Sequence, residues 1–212
     1  MVRGNNLKGA EEILKEILID NPLDPMVIFK LSQCLSSQGK ITEARSYLKK
    51  GARVNPGSPI LKTAIQDIEF DYARHLAESG RRPESIAVYR GLVKLNPENS
   101  QYLLNLGYEE MMNGEYSRAV GHFRQGLKLA PGEDWARSGL AYCLMYEWEF
   151  DAAVAQMKII VSKSDDPDYL FQLGSIYNQI GNTREGWTLI RKAAKQGQPE
   201  AERLVKQRYG KD

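Results

Sequence analysis

The chain has few of the side chains that perform catalysis or bind metals. Among its 212 residues are two cysteines and two histidines. Cys34 and Cys143 stand too far apart in the sequence to indicate a disulfide framework or a thiolate metal site, and we expect both thiols to be buried and free. His75 and His122 have no paired carboxylate pattern, and no glycine-rich phosphate-binding run or His-Glu-x-x-His run occurs. We therefore expect no catalytic residue, no metal and no cofactor, and predict that the chain is not an enzyme.

An excess of one charge and a long apolar run are also lacking. Lysine and arginine number 29 against 27 aspartates and glutamates, so the net charge is +2. This balance gives no electrostatic reason to expect nucleic acid or an acidic membrane as a partner. No apolar run approaches the ~18–20 residues of a spanning helix, and the charged first twenty residues do not fit a signal peptide. We expect no membrane insertion and a cytoplasmic location, or a periplasmic one if the chain was cut from a longer exported protein.

The nine prolines mark the boundaries between helices. Each lies where one apolar segment with three- and four-residue spacing ends or the next begins. A proline inside a helix costs ~3 kcal/mol, whereas the first turn tolerates it. No stretch alternates convincingly with a period of two. The sequence therefore predicts an all-α fold.

The prolines and turn glycines recur at a fixed spacing. Pro22 and Pro56 are 34 residues apart, as are Pro97 and Pro131, while the interval between Pro56 and Pro97 is 41. The seven additional residues are nearly two helical turns, and they predict one long helix over roughly 59–79. Such a period is typical of helical repeats. The glycines that follow a similar spacing are Gly39, Gly80, Gly114 and Gly181.

Residues 103–131 resemble the tetratricopeptide repeat family. The matching positions are Leu103, Leu106-Gly107, Gly114-Glu115-Tyr116, Ala119, Phe123 and Pro131. In this pattern small residues such as Gly107 and Ala119 let two antiparallel helices approach closely, while Leu106 and Phe123 fill the space between them. The same marks recur in five segments that cover nearly the whole chain. The resemblance implies a right-handed α-solenoid of antiparallel helix pairs.

The period divides the chain into a partial repeat, five repeats and a cap. The predicted segments are an orphan second helix at 6–24, repeats at 25–58, 59–99 (with an extended first helix), 100–133, 134–166 and 167–198, and a polar C-terminal capping helix at 199–212. The orphan helix is unusually apolar for an end cap, which favours truncation of a longer chain over a native end. It is also a predicted surface for self-association.

The resemblance implies a concave face that is lined by the first helix of each pair. Two of these helices carry aromatic and methionine residues there, although leucines already fill the positions that face their partner helices. Exposed side chains of this kind suit adaptable recognition of an apolar peptide. The predicted partner-binding residues are Phe70, Arg74, Leu104, Tyr108, Met111, Met112, Trp135, Tyr142, Met145, Tyr146 and Phe171. By contrast, we expect the acidic pairs Glu11-Glu12 and Glu109-Glu110 on solvated helix faces.

The predicted function is a non-catalytic scaffold whose groove binds a peptide or helix of a partner protein. Two alternatives remain. The repeats would instead be the targeting or assembly arm of a larger enzyme or of a secretion or export machine, which the orphan helix motivates. RNA binding, as in the related pentatricopeptide repeats, is disfavoured because the period is 34 residues and the groove offers few basic groups besides Arg74. We therefore expect a protein or peptide partner and no nucleic acid.

Overall fold

The computed structural model describes the backbone of residues 2–210 and the side chains of residues 6–210. This part of the chain is all-α, with twelve helices and no strand. The helices are α1 (Val2–Asp20), α2 (Pro25–Ser37), α3 (Ile41–Val54), α4 (Pro59–Glu78), α5 (Arg82–Leu95), α6 (Ser100–Met112), α7 (Tyr116–Leu129), α8 (Asp134–Tyr146), α9 (Phe150–Val161), α10 (Pro167–Gln179), α11 (Thr183–Lys195) and α12 (Pro199–Tyr209). The last two residues of the predicted cap, 211 and 212, lie outside the described residues.

The helices form two compact units. The first contains α1 to α5 and ends at Pro97, and the second begins at Glu98 and contains α6 to α12. Within each unit every helix packs against the next along the chain. The predicted all-α, helical-repeat solenoid class is confirmed, whereas the repeat boundaries stay a prediction. None of the helices in residues 2–210 is long and apolar enough to cross a lipid bilayer.

Proline and a capping side chain begin several helices. Pro25 is the first residue of α2, and the Asp24 carboxylate accepts hydrogen bonds from the backbone N–H groups of Met26 and Val27. This arrangement satisfies donors that have no partner inside the helix. The helices that begin in the same way with proline are α4, α10 and α12. The long helix predicted over roughly 59–79 is α4, Pro59–Glu78.

Small residues let the helices of the second unit pack closely, as the repeat pattern predicts. Phe123 on α7 is fully buried, and its ring lies against two glycines of neighbouring helices. A Cβ atom at Gly107 would lie 3.2 Å from the ring, and one at Gly139 would lie 2.8 Å from Phe123 Cζ. Leu106 and Ala119 are also buried in this unit. Replacing either glycine would therefore push the helices apart.

Helix α1 is held to the first unit by an ion-pair cluster. The Glu11 carboxylate accepts hydrogen bonds from Lys15 Nζ at 2.6 Å, from Lys40 Nζ at 2.7 Å and from Gln38 Nε2 at 2.8 Å. Together these partners lower the pKa of Glu11 to about 2, and the hydrogen bond from Lys15 has the largest effect. The expectation that Glu11 lies on a solvated face is wrong, because Lys15 on α1 and Gln38 and Lys40 after α2 surround its carboxylate, and Glu11 is buried.

Both residues of the second acidic pair are buried, whereas Glu12 of the first pair is exposed. Glu109 is 7% exposed and Glu110 is fully buried. The Oε2 atom of Glu110 lies 2.5 Å from Nδ1 of His122 on α7. The expectation of a solvated face is therefore wrong for this pair as well, because α7 packs against α6. Burial of a carboxyl group is tolerated when hydrogen-bonding partners replace water.

Candidate functional site

A large cavity lies in the second unit, between side chains of α6, α8 and α10. Its volume is about 1180 Å³. Aromatic, methionine and small uncharged residues form its wall. The lining residues are Tyr108, Met111, Met112, Tyr116, Trp135, Ser138, Gly139, Ala141, Tyr142, Met145, Tyr146, Trp148, Phe150, Met157, Phe171, Gln172, Ser175, Ile176 and Gln179. We call this space the aromatic cavity.

The structure brings together eight of the residues predicted to bind a partner. These are Tyr108, Met111, Met112, Trp135, Tyr142, Met145, Tyr146 and Phe171. The four aromatic residues of this set on α6 and α8 are 39% to 51% exposed, although hydrophobic side chains of this size are usually buried in folded domains. The first helices of the second unit therefore present a connected apolar surface to solvent. The role of these residues in binding stays a prediction.

Leu104 does not lie on this surface. It is 2% exposed and belongs to the core of the second unit. Its side chain fills the space beside Gly126 on α7, where a Cβ atom would meet Leu104 Cδ2 and lie 2.7 Å from Cγ. The predicted groove position is wrong because the missing side chain at Gly126 opens a pocket between α6 and α7, and Leu104 occupies it.

Phe70 and Arg74 lie elsewhere. Both are on α4 in the first unit, and neither lines the aromatic cavity. The Phe70 ring packs edge-on against Tyr89 on α5, with ring centroids 5.7 Å apart. Arg74 is exposed. The structure therefore does not place these two residues with the other eight.

Three tyrosines form a stacked group on one wall of the cavity. The rings of Tyr116 and Tyr146 stack with centroids 4.2 Å apart, and Tyr142 lies 4.9 Å from Tyr146. The Tyr142 hydroxyl donates a hydrogen bond to the Tyr146 oxygen at 3.1 Å. This hydrogen bond, with burial, raises the pKa of Tyr142 to about 12. Tyr142 thus stays uncharged at neutral pH, and the three tyrosines offer both ring faces and hydroxyl groups to a ligand.

A second aromatic pair forms another part of the wall. The rings of Tyr108 on α6 and Trp135 on α8 pack edge to face, with centroids 6.3 Å apart. The Trp135 Nε1–H group donates to the Glu133 carboxylate at 2.8 Å. This hydrogen bond fixes the orientation of the indole ring, and Trp135 remains 42% exposed.

Sequence reasoning missed several residues of the cavity, including Trp148. Trp148 follows α8, is 79% exposed and has a left-handed backbone with φ of 63°. Its ring packs edge-on against Phe150, with centroids 5.7 Å apart. A signal was present in the sequence, because Trp148 lies 34 residues after Gly114, where the period predicts another turn glycine. The other missed lining residues include Tyr116, Phe150, Met157 and Gln172.

Charged groups lie outside the wall of the cavity. Two arginines of α7 are paired: Arg118 lies 2.5 Å from Glu115, and Arg124 lies 2.9 Å from Glu149. Glu147 immediately precedes Trp148 and is exposed. The lining residues themselves are uncharged, and the Glu133 carboxylate lies 2.8 Å from Nε1 of the lining residue Trp135.

The lining offers little chemistry beyond binding. Cys143 on α8 does not line the cavity; it is buried, and burial raises the pKa of its thiol to about 12, so the nucleophilic thiolate is scarce at neutral pH. Within residues 6–210 no three histidine, cysteine, aspartate or glutamate side chains are grouped in a way that could hold a metal ion. The arrangement can bury apolar side chains and exchange hydrogen bonds through Ser138, Gln172 and the tyrosine hydroxyls.

Comparison with known proteins finds matches to two tetratricopeptide repeat family models, at residues 27–58 and 70–134. Among curated proteins, mouse protein O-mannosyl-transferase TMTC1 is 25% identical over 63% of this chain and 14% of its own length. Anaphase-promoting complex subunit CDC16 of Saccharomyces cerevisiae is 24% identical over 66% of this chain and 17% of its own length. Cellulose synthase operon protein C of Pseudomonas fluorescens is 24% identical over 75% of this chain and 12% of its own length. The chain thus spans less than a fifth of each of these relatives.

Solved structures share the fold. The crystal structure of YrrB, a TPR protein with an unusual peptide-binding site, has a TM-score of 0.73 and 16% identity, covering 93% of this chain and 99% of YrrB. MamA of Desulfovibrio magneticus RS-1 has a TM-score of 0.67 and 18% identity, covering 85% of this chain and 96% of MamA. At this identity the likeness concerns the fold. The two family matches show that the chain contains tetratricopeptide repeats.

Proposed function

We propose that the chain is a non-catalytic scaffold that binds a peptide or helix of a partner protein in the aromatic cavity. The observation that carries this proposal is the exposure of Tyr108, Trp135, Tyr142 and Tyr146, each 39% to 51%, around one space of about 1180 Å³. Connected apolar surface of this kind marks interaction sites in folded proteins, and tyrosine and tryptophan dominate the energetics of such sites.

The shape and chemistry of the cavity support a peptide as its occupant. Several apolar side chains fit in its volume, and the methionines Met111, Met112 and Met145 can adapt their conformation to the occupant. Hydroxyl and amide groups at Ser138 and Gln172 can bond to a peptide backbone. A peptide-binding site in YrrB, which has the same fold, adds support for this use.

The experiment is selection of short peptides from a displayed random library on the purified full chain, followed by affinity measurement with variants. We expect the double variant Tyr108→Ala/Tyr142→Ala to lose at least about tenfold in affinity, because two aromatic contacts are removed. Leu129→Ala is the matched control, since Leu129 is 46% exposed on α7 and does not line the cavity. Equal affinity for the double variant, with helix content retained, would exclude the cavity as the binding site.

A second candidate function, the targeting or assembly arm of a larger protein, is favoured by the short span of the match to TMTC1, CDC16 and cellulose synthase operon protein C. In this case the cavity would select the client or assembly partner of the larger protein. Immunoblotting of source cells with an antibody raised against this chain tests the idea. A species much larger than 24.0 kDa supports it, and a species of 24.0 kDa alone contradicts it.

We also propose that α1 mediates self-association. Ile13, Ile17 and Ile19 are 59%, 43% and 78% exposed. By the repeat period, Ile17 corresponds to Gly51 on α3 and Gly126 on α7, both of which are buried against neighbouring helices. The face of α1 that carries Ile17 therefore has the position of a covered face in other repeats. Light scattering should give a mass that rises with concentration and returns to the monomer value in Ile13→Glu/Ile17→Glu; a monomer at all concentrations would contradict self-association.

A further inference from the structure

Trp148 occupies a turn position at which the neighbouring helix pairs carry glycine. In each case the residue lies two positions after the last residue of a first helix. At Gly39, Gly80, Gly114 and Gly181 the φ angles lie between 75° and 85°. Side chains of L-residues other than glycine are disfavoured in this left-handed region because Cβ approaches the following carbonyl oxygen. Among residues 2–210, Trp148 is the one non-glycine residue with positive φ.

The fold gains little from the tryptophan side chain at this position. It is 79% exposed, and its one ring contact with an aromatic neighbour is the edge-on contact with Phe150. Exposed indole surface provides no burial energy to offset the conformational strain. A strained residue that the surrounding structure maintains is a feature of ligand sites, where side-chain position matters more than stability.

The location of Trp148 indicates what its ring contacts. The side chain lines the aromatic cavity together with Tyr146 and Phe150. Glu147 precedes it and is exposed, whereas the nearby Glu149 is paired with Arg124 at 2.9 Å. An exposed tryptophan face attracts a guanidinium or ammonium group by cation–π interaction. The charges of Glu147, which is exposed and precedes Trp148, and of Glu133, whose carboxylate lies 2.8 Å from Trp135 Nε1, favour a basic ligand.

We propose that Trp148 is a ligand-contacting residue at the edge of the aromatic cavity, and that the occupant is a peptide segment with an apolar or aromatic anchor next to a lysine or arginine. The anchor enters the cavity, and the basic side chain lies on the Trp148 ring near Glu147. This inference rests on the proposed peptide-binding function and specifies the chemistry of its ligand.

The experiment measures binding and stability of the same variants. Peptides selected from the random library on wild-type chain are titrated against Trp148→Gly and Trp148→Phe, and unfolding is followed by calorimetry. Trp148→Gly should weaken binding at least about tenfold while the unfolding midpoint rises by roughly 2–4 °C, because strain is relieved. Trp148→Phe should retain most of the affinity. A structural tryptophan would give the opposite change in midpoint.

Gly39→Trp is the matched control for the backbone effect. Gly39 has φ of 77° and open space around its Cβ position, and it lies in the first unit. This variant should lower the unfolding midpoint by a similar amount and leave binding unchanged. A midpoint equal to that of wild type would show that this turn conformation carries no strain, which would overturn the argument for Trp148.

The outcomes separate this inference from the proposed function. Enrichment of basic peptides whose binding is lost in both Tyr108→Ala/Tyr142→Ala and Trp148→Gly supports both. Peptides that lose binding to the tyrosine double variant but bind Trp148→Gly as tightly as wild type overturn the role of Trp148 alone. Enrichment of acidic peptides overturns the proposed ligand chemistry. Failure to select any peptide, or selection of peptides insensitive to the tyrosine double variant, overturns the proposed function itself.

Discussion

The contact between Leu104 and Gly126 can be tested by a double-mutant cycle. Leu104 is 2% exposed, so Leu104→Ala should lower the free energy of unfolding of the second unit by about 2–5 kcal/mol. Gly126→Ala places a methyl group against the Leu104 side chain, 2.7 Å from its Cγ atom. This overpacking costs roughly 1–3 kcal/mol, and the better helix propensity of alanine returns up to about 1 kcal/mol.

In the double variant the new methyl group lies in space that Leu104 has vacated. We therefore expect the double variant to be more stable than the sum of the two single effects predicts, by about 1–2 kcal/mol. Urea unfolding followed by tryptophan fluorescence reports on the second unit alone, because the three tryptophans, Trp135, Trp148 and Trp187, all lie in it.

Two results would refute this reasoning. Additivity within about 0.5 kcal/mol would show that the two residues do not share the same space. A change below about 0.5 kcal/mol for Leu104→Ala would show that this side chain is exposed, as the groove assignment from the sequence requires. Leu129→Ala, on the exposed side of α7, is the control and should stay within about 0.5 kcal/mol of wild type.

Two further predictions concern titrating groups. The hydrogen bond to Tyr146 raises the pKa of Tyr142 to about 12, so peptide affinity should be constant between about pH 6 and 9. In a titration followed by tyrosinate absorbance, Tyr142→Phe should remove one group that ionises late. A Tyr142 titration near pH 10 would contradict this prediction. The pKa of Glu11, lowered from 4.5 to about 2, gives stability that is present above pH 4.5 and lost as pH falls toward 2. Glu11→Gln should therefore weaken this acid dependence, measured by hydrogen exchange of α1, and equal dependence would contradict it.

The helices were predictable because their boundaries depend on local chemistry. Proline at the first helical position and glycine in a left-handed turn each have a conformational cause that acts within a few residues. Pro59 and Pro167, for example, begin helices as predicted. The spacing of these residues was therefore sufficient to predict an all-α helical repeat, including the long helix α4.

The candidate site was only partly predictable because helical phase does not specify what faces each side chain. Leu104 has the phase of a groove residue, yet the absence of a side chain at Gly126 draws it into the core. Glutamate is a residue type usually found at the surface, yet the side chain of Glu110 is covered, and His122 lies against it. Such placements depend on residues of another helix.

Trp148 was missed for a different reason. The period predicts a turn at this position, and turns of this kind favour glycine. The sequence pattern therefore did not indicate that this tryptophan belongs to the apolar surface. Its left-handed φ of 63° and its place in the cavity wall become visible only in three dimensions. A departure from a local rule at one repeat can therefore indicate a functional position.

Photo-crosslinking of a selected peptide to the full chain, with mass-spectrometric mapping of the crosslinked residues, tests the central claim most directly. The peptide carries a photoreactive side chain in place of its apolar anchor. We predict crosslinks on α6, α8 and α10, at lining residues such as Met111, Met145 and Phe171. Crosslinks confined to α1, or to residues of the first unit, would contradict binding in the aromatic cavity.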